Sequence, residues 1–296
     1  MSRILLLGAT GQIGYELVRS LGPLAKLVMP DREALDLRSD EKIIAEKIRQ
    51  FQPDLVINAA AYTAVDQAEQ EIELAWQVNA SAPGAIAKAC ALMGIPMIHF
   101  STDYVFDGQG SQPWTENDTA HPVNVYGQSK LAGEVAIQKS GAMHCIFRTS
   151  WVYGLHGKNF LNTMRRLASE KASLNIVSDQ IGSPTWSRHI AEAVSAVVVL
   201  SRQQGPSFWQ QQTGIYHLTN SGATSWSEFA KAIFEALAAE GQTVPVVNAI
   251  ATSEYPTAAM RPGFSVLDNA RIERQFGIRM PDWRHSLKLV MQDLKL

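Results

Sequence analysis

Three glycines at positions 8, 11 and 14 separate an apolar stretch from an amphipathic one at the start of the chain. Ile4–Leu7 predicts a strand, and Gly14–Leu21 predicts a helix. Glycines let the backbone turn tightly and approach a ligand closely, and a helix N-terminus favours an anion. A turn with no ligand is the alternative, but the position after the first strand favours a nucleotide-binding loop, formed by Gly8, Gly11, Gln12, Ile13 and Gly14.

Short apolar stretches alternate with amphipathic ones through the first half of the chain. Further strands are predicted at 27–29, 55–58, 97–101 and 145–149, and helices at 40–51, 68–93 and 129–138. Apolar strands joined by helices are typical of a parallel sheet that is covered on both faces. Because such crossovers are right-handed, we predict an α/β fold with a doubly wound, Rossmann-like parallel sheet.

The pattern loosens after about Trp151. Helices are predicted at 160–169, 189–200, 227–239 and 283–294, and surface loops at 203–212 and 241–262. We therefore predict a dinucleotide-binding domain over residues 1–150 and a smaller C-terminal substrate-binding domain over 151–296. The two are expected to be interleaved, with some later elements returning to the sheet.

Composition excludes several functional classes. The formal net charge of −2 gives no electrostatic basis for nucleic-acid binding. The two cysteines, Cys90 and Cys145, stand in apolar stretches, so we expect buried free thiols in a reducing compartment. No signal peptide or membrane span is predicted, so a cytoplasmic protein is expected. The seven histidines lack the spacing of a zinc site.

Two acidic residues after the second predicted strand are candidates for contacts with the cofactor. Asp31 stands about 20 residues beyond the glycine loop, where an acid suits a pair of ribose hydroxyls. Arg32 beside it suits an additional phosphate, so the sequence leaves NADH and NADPH both open. Asp36, followed by Leu37, could meet the adenine amino group or could cap a helix.

Tyr126 and Lys130 are separated by four residues and therefore share one face of a predicted helix. None of the other six tyrosines has a lysine four residues on. A nearby ammonium is expected to lower the pKa of a phenol, and Thr102 at a strand end can bind a substrate oxygen. A solvated surface pair is the alternative. Together with the glycine loop, the three residues predict general acid catalysis of hydride transfer to a carbonyl.

Several motifs over nearly the whole chain resemble the extended short-chain dehydrogenase/reductase superfamily, and within it the dTDP-4-dehydrorhamnose reductase family. The resemblance implies reduction of a dTDP-sugar ketone by NADPH or NADH in dTDP-rhamnose and polysaccharide biosynthesis. Sugar-nucleotide dehydratases of this superfamily have Thr-Asp-Glu where this chain has Thr102-Asp103-Tyr104, which favours simple reduction. Besides the glycine loop, the motifs are Asn58–Asp66, Ser101–Gly108, Asn124–Glu134, Arg148–Gly154, Asp179–Thr185 and Arg261–Asp268.

The same resemblance implies roles for individual residues. Tyr126 would donate the proton, Lys130 would tune it and hold the nicotinamide ribose, and Thr102 would bind the ketone oxygen. The cofactor would also be lined by Gly11, Gln12, Ile13, Asp31, Asp36, Leu37, Ala61, Tyr62 and Thr63. The sugar would be contacted by Thr102, Asp103 and Trp151.

Three further expectations concern single residues, and the first two leave an alternative open. Arg261 either grips the substrate diphosphate or forms a structural ion pair. Glu16 is a candidate magnesium contact at a subunit interface of a homodimer, or simply a solvated acid. Trp186, Trp226 and Trp283 are expected to pack in the protein interior.

Two other functions remain open at this stage. The same fold serves as a non-catalytic, nucleotide-binding regulatory subunit, although the retained Thr102, Tyr126 and Lys130 argue against that reading. A reductase or epimerase of another sugar nucleotide would use similar residues. An epimerase would hold its cofactor permanently.

Overall fold

The computed structural model describes residues 2–294 as an α/β fold. Its strands are β1 (Arg3–Leu7), β2 (Lys26–Val28), β3 (Leu55–Asn58), β4 (Met97–Thr102), β5 (His144–Thr149), β6 (Val152–Tyr153), β7 (Ser173–Val177), β8 (Ile181–Gly182), β9 (Thr185–Trp186), β10 (Gly214–His217), β11 (Thr224–Ser225) and β12 (Val246–Ile250). Its α-helices are α1 (Gln12–Leu21), α2 (Glu41–Phe51), α3 (Val65–Ala68), α4 (Ile72–Trp76), α5 (Ala82–Met93), α6 (Val125–Lys139), α7 (Phe160–Glu170), α8 (Ser187–Gln204), α9 (Phe208–Gln211), α10 (Trp226–Ala238), α11 (Ala270–Phe276) and α12 (Trp283–Asp293).

One six-stranded sheet organises the molecule, with strand order β10-β5-β4-β3-β1-β2 and parallel pairing throughout. The strand order reverses at β1, because β2 pairs on one side of it and β3 on the other. In such sheets the crevice outside the carboxyl ends at the reversal is the usual ligand site. The predicted doubly wound parallel sheet is therefore confirmed.

Apolar layers cover both faces of this sheet. Successive residues of a strand point to opposite faces, so Leu6 packs in one layer and Leu5 in the other. Helices α1 and α8 cover the first face, while α2 and α5 cover the second. Each leucine or isoleucine buried there contributes about 1.5–3 kcal/mol. Cys90 and Cys145 are buried free thiols, as expected.

A third apolar cluster lies in the second half of the chain, among α7, α10 and α12. Trp186 and Trp283 are buried in it, as expected, and Trp226 packs against it. Late residues also build the main sheet, because β10 pairs with β5 and α8 packs on one face. The domain boundary near residue 150 stays a prediction. No helix within residues 2–294 is long and apolar enough to cross a bilayer.

Three predicted segments differ from the structure. The single helix predicted over 68–93 is broken into α3, α4, a π-helical turn at Gln77–Ser81 and α5. The loop predicted over 203–212 contains α9, because Phe208 is buried against the first apolar layer. The loop predicted over 241–262 contains β12, which pairs with β7.

Candidate active site

The glycine loop packs directly against the end of β3. Gly8 has a φ of +78°, and a Cβ there would lie 2.6 Å from the Ala60 backbone nitrogen. A Cβ on Gly14 would lie 2.0 Å from the Gly8 carbonyl oxygen. Neither position can accept a side chain without moving the loop, so the packing itself requires these two glycines.

Gly11 is different, because it is exposed and an added Cβ would make only an ordinary contact. The nearest atom to an added Cβ there is the Gly8 carbonyl oxygen at 3.4 Å. Gly11 begins α1 without a side-chain cap, which leaves backbone N–H groups of the first turn for an anion. The loop therefore fits the diphosphate of a dinucleotide. Ile13 packs against the first apolar layer.

A segment from the second half of the chain lies over this loop. Asn159 donates to the Gln12 side-chain oxygen at 2.9 Å, and the Gln12 amide nitrogen donates to the Val152 carbonyl at 3.4 Å. His156 bonds the Thr10 carbonyl at 2.9 Å and stacks on Tyr15 at 4.0 Å. Sequence reasoning missed these contacts, since they join positions about 140 residues apart.

The acidic candidates near β2 have mostly local partners. Asp31 is exposed and accepts the Ala34 N–H at 2.8 Å. Asp36 bonds the Arg38 guanidinium through both oxygens, which lowers the pKa of Asp36. The helix-cap alternative for Asp36 is wrong, because Asp40 caps α2. Leu37 packs against the second apolar layer.

The segment after β3 is joined to α6 by one buried side-chain amide. Ala61 and Tyr62 are partly buried and Thr63 is exposed. Asn79 accepts the Tyr62 N–H at 2.9 Å and donates to the Tyr62 carbonyl at 3.0 Å. Asn79 also donates to the Ser129 hydroxyl of α6 at 3.1 Å. Asn79 lies in the π-helical turn, a feature often found at functional sites, and the prediction of one continuous helix missed it.

Thr102 and Asp103 form a buried polar cluster at the end of β4. The Thr102 hydroxyl donates to one Asp103 oxygen at 3.0 Å, and the Ser150 hydroxyl donates to the other at 2.7 Å. Burial raises the pKa of Asp103, and the hydrogen bonds from these two hydroxyls oppose the rise. Sequence reasoning missed Ser150, because nothing local in the sequence marks it as a partner of Asp103.

Tyr126 stands in the first turn of α6, and the start of that helix is closely fixed. Asn124 caps it by accepting the Gly127 N–H at 2.8 Å. A Cβ on Gly127 would lie 2.2 Å from the Tyr104 carbonyl, so the helix presses against the turn after β4. The Tyr104 ring meets the Tyr126 ring edge-on at 5.6 Å. Thr102 lies beside the Tyr126 hydroxyl and acts to lower the pKa of that phenol.

The pKa of Tyr126 is raised, whereas a lowered pKa is expected from the sequence. Burial raises it, and Thr102 beside the hydroxyl only partly opposes the rise. Lys130 was expected to lower it, but the Lys130 ammonium nitrogen instead donates to the Phe100 carbonyl at 2.6 Å. In this structure Lys130 therefore satisfies the backbone of β4, and Tyr126 is a fully protonated donor at neutral pH.

Lys130 itself is 1% exposed. Burial lowers its pKa to about 8, while the nearby Glu134 acts in the opposite direction. Glu134 is held by a buried two-bond pair with Arg148 of β5, at 2.9 and 2.6 Å. This pair, which sequence reasoning missed, joins the helix that carries Tyr126 to the sheet.

Trp151 combines an unusual backbone with a stacked side chain. Its φ of +45° is rare for a bulky residue and indicates a constrained site. Its ring stacks on Trp226 with centroids 3.5 Å apart, and a Cβ on Gly182 would lie 2.4 Å from the indole. Phe160 also contacts Trp226. Trp226, expected only to pack, thus supports the residue predicted to contact the sugar.

Arg261 forms an ion pair with Asp66, which is the structural alternative predicted for it. One of its nitrogens donates to Asp66 at 2.6 Å, and its guanidinium lies 5.9 Å from the centre of the Tyr104 ring. Its Nη1 is buried and has no hydrogen-bond partner among residues 2–294. A buried unpartnered donor calls for an explanation, and an anionic ligand supplies one.

Glu16 is buried, so the alternative prediction of a solvated acid is wrong. It is 3% exposed and lies 3.4 Å from the Arg188 guanidinium, because α1 and α8 pack together on the sheet. Arg188 also pairs with Asp293. The cation beside Glu16 is thus a side chain, and no cluster of three or more potential metal ligands occurs within residues 2–294.

Comparison with known proteins gives consistent matches over the whole chain. The family described as RmlD substrate binding domain matches residues 1–296. The dTDP-4-dehydrorhamnose reductase of Burkholderia thailandensis is 44% identical, over 99% of both chains. The crystal structure of such a reductase from Clostridium acetobutylicum has a TM-score of 0.90 at 35% identity, covering 99% of this chain and 100% of that one. The reductase of Bacillus anthracis, solved in complex with NADP, has a TM-score of 0.88 at 34% identity, over 99% of both chains.

Proposed function

Because this chain belongs to the RmlD substrate binding domain family, we propose that it reduces the 4-keto group of dTDP-4-dehydro-β-L-rhamnose to give dTDP-L-rhamnose. The named relatives support the substrate, and the NADP complex of one of them supports a nicotinamide cofactor. The observation that carries the proposal is the packing of α6, with Tyr126 and Lys130, against the end of β4 at Thr102. Gly127 presses on the Tyr104 carbonyl, and Lys130 bonds the Phe100 carbonyl.

The cofactor would lie across the carboxyl ends of β1 and β3. Its diphosphate would rest on Gly11, Gln12 and Ile13 at the start of α1, since that surface is open and rich in N–H groups. Asp31 would bond the adenosine ribose and Asp36–Leu37 the adenine. The remaining contacts would come from Ala61, Tyr62, Thr63 and Lys130.

When bound, reduced nicotinamide supplies a hydride for the carbonyl carbon. Tyr126 donates its hydroxyl proton to the ketone oxygen, and its raised pKa ensures that the proton is present at neutral pH. Thr102 would bind that oxygen by turning its hydroxyl proton, which is donated to the buried Asp103 in this structure, toward the ketone. Reduction is completed by one hydride and one proton.

The substrate would be bound from the second half of the chain. Trp151 offers a ring face to the sugar, with Trp226 stacked behind it. Arg261 would contact the diphosphate through its Nη1 while its other end stays with Asp66. A homodimer stays a prediction, and magnesium forms no part of this proposal.

The test is the absorbance of reduced nicotinamide over time, with purified protein, dTDP-4-dehydrorhamnose made in situ, and NADPH or NADH. We expect loss of absorbance only when protein and sugar are both present, and the two rates rank the cofactors. No loss with either cofactor, although titration shows that cofactor binds, would contradict the proposal. That outcome would favour another sugar nucleotide or a regulatory, nucleotide-binding role.

A further inference from the structure

Three buried polar side chains form a row from the cofactor edge of the sheet to the catalytic helix. Asn58 of β3 and His99 of β4 are neighbours in the parallel register. Their side chains meet at 3.2 Å, and the other ring nitrogen of His99, Nε2, lies 3.3 Å from the side-chain nitrogen Nζ of Lys130. Asn58 and His99 are fully buried and Lys130 is 1% exposed, so each hydrogen bond in the row is made without water competing.

The backbone fixes which way the first residue of this row points. The side-chain oxygen of Asn58, Oδ1, accepts the backbone N–H of Ala60 at 3.1 Å. Its amide nitrogen therefore faces His99 and donates to Nδ1, which must be the unprotonated nitrogen of the ring. Because burial holds the pKa of His99 well below its ordinary value, the ring is neutral. Its single proton is then on Nε2, the nitrogen that faces Lys130.

An N–H group that points at a lysine nitrogen discriminates between the two forms of that lysine. An ammonium has three donors and no lone pair, so it cannot accept the His99 proton, whereas a neutral amine can. The Phe100 carbonyl at 2.6 Å accepts an N–H from either form. We propose that His99, held in its Nε2–H tautomer by Asn58, is a positioning residue that shifts the protonation equilibrium of Lys130 toward the neutral amine.

The elements packed against α6 carry other charged and titratable groups, and each of these groups has its own partner or effect. On α6 itself, Tyr126 is neutral, and Glu134 favours the ammonium. From β5, Arg148 is neutralised by its pair with Glu134. The turn after β4 carries Asp103 and Tyr104. The Asp103 carboxylate accepts hydrogen bonds from hydroxyl groups, and the pKa of Tyr104 is raised to about 12. Beside α3, Glu69 accepts the Val125 N–H and Asp66 pairs with Arg261.

The expected consequence rests on the proposed reductase function. After Tyr126 has given its proton to the ketone oxygen, an N–H bond of the Lys130 ammonium breaks and an O–H bond forms on the phenolate. The lone pair left on Lys130 accepts the His99 Nε2–H, and solvent later returns a proton to the amine. A lysine with a lowered pKa makes this return easier than an ordinary lysine with a pKa of about 10.4.

The test uses the pH titration of lysine ¹³Cε signals in the full chain, with no cofactor or sugar present. The Lys130 signal is assigned by its loss in Lys130→Met. We expect a midpoint near 8 in the unmodified protein. In His99→Gln the amide can turn its oxygen toward Lys130, so the midpoint should rise by about one unit or more. His144→Gln, which changes a buried histidine of β5 that bonds the Ala142 carbonyl, should leave it unchanged.

An unchanged midpoint in His99→Gln, or an ordinary midpoint in the unmodified protein, would overturn the proposal. If His99→Gln does not fold, ¹⁵N spectra of labelled histidine in the unmodified protein decide the matter. A proton on Nε2 of His99 supports the proposal, and a proton on Nδ1 overturns it. Neither readout uses a substrate, so failure here is distinguishable from failure of the reductase assay.

Discussion

The carboxyl ends of β1 and β4 belong to one parallel sheet, yet they are built from different chemistry. After β1 the surface consists of backbone N–H groups on Gly11 and its neighbours, and side chains are excluded by contact at Gly8 and Gly14. After β4 the surface consists of side chains, with Thr102, Asp103 and Ser150 bonded to one another away from solvent. The structure of the β1 end therefore depends on close backbone packing, whereas that of the β4 end depends on side-chain hydrogen bonds and on which groups are protonated.

This difference predicts opposite sensitivities to substitution. At the β1 end, a single added methyl group should lower cofactor affinity and stability. At the β4 end, loss of a single titratable group should lower turnover while the fold is retained.

Gly14→Ala should have the largest effect on the β1 end. The added methyl would lie 2.0 Å from the Gly8 carbonyl oxygen, which is backbone and cannot move aside cheaply. We expect cofactor affinity to fall by roughly 100-fold and the midpoint of thermal unfolding to drop by several degrees. Fluorescence titration and calorimetry would measure the two effects.

Gly11→Ala is the matched control, since its methyl would make only an ordinary contact at 3.4 Å. It should cost about 1 kcal/mol or less in stability. Equal unfolding midpoints for the two variants would show that the loop is not held by the contact described here.

Lys130→Met should have the next largest effect, and it should change both turnover and cofactor binding. The substitution keeps much of the buried aliphatic chain but removes the bond to the Phe100 carbonyl and the proposed bond to ribose. We expect kcat to fall by roughly 10- to 100-fold and the cofactor Kd to rise at the same time. A lower kcat with an unchanged Kd would remove Lys130 from the ribose-binding role.

The sheet strands of the first half and much of the β1 end could be predicted from sequence. Strands β1 to β5 all lie within one residue of their predicted bounds, because apolar strands and glycine spacing are local patterns. The β4 end was predicted only in part. Thr102, Tyr126 and Lys130 form a recognisable motif, but Ser150, Asn79 and the pair of Glu134 with Arg148 do not. Their partners are distant in sequence, and a pairing of that kind exists only after the sheet has formed.

The pKa of Tyr126 shows the same limit of sequence reasoning. The spacing of Tyr126 and Lys130 predicts that an ammonium lowers the pKa of the phenol. In the fold, burial dominates and raises it. Burial is a property of the whole structure, so no local spacing could reveal it.

Trp226→Ala should have a moderate effect, confined to the sugar. It removes the ring stacked on Trp151, and such aromatic pairs contribute about 0.5–1.5 kcal/mol. We expect KM for the sugar nucleotide to rise about tenfold while kcat stays within a factor of three. Trp209→Ala, which removes another partly buried tryptophan that packs against the first apolar layer and not against the third cluster, is the control. Similar KM values for both variants would refute a specific role for Trp226.

Asp31→Ala should have the smallest effect. Without this exposed carboxylate, the repulsion of a ribose phosphate is reduced, so the ratio of kcat/KM for NADPH over NADH should rise by up to about tenfold. Glu33→Ala, which removes a neighbouring exposed acid, should change the ratio less. If both variants retain the original ratio, Asp31 does not read the ribose.

The central claim is that the proton comes from the β4 end while the cofactor is held largely at the β1 end. Tyr126→Phe tests it most directly, with kcat measured by nicotinamide absorbance and cofactor Kd by titration on the same preparation. We predict a fall in kcat of at least about 100-fold with an unchanged Kd. Near-normal turnover, or a loss of turnover explained by weaker cofactor binding, would contradict the account.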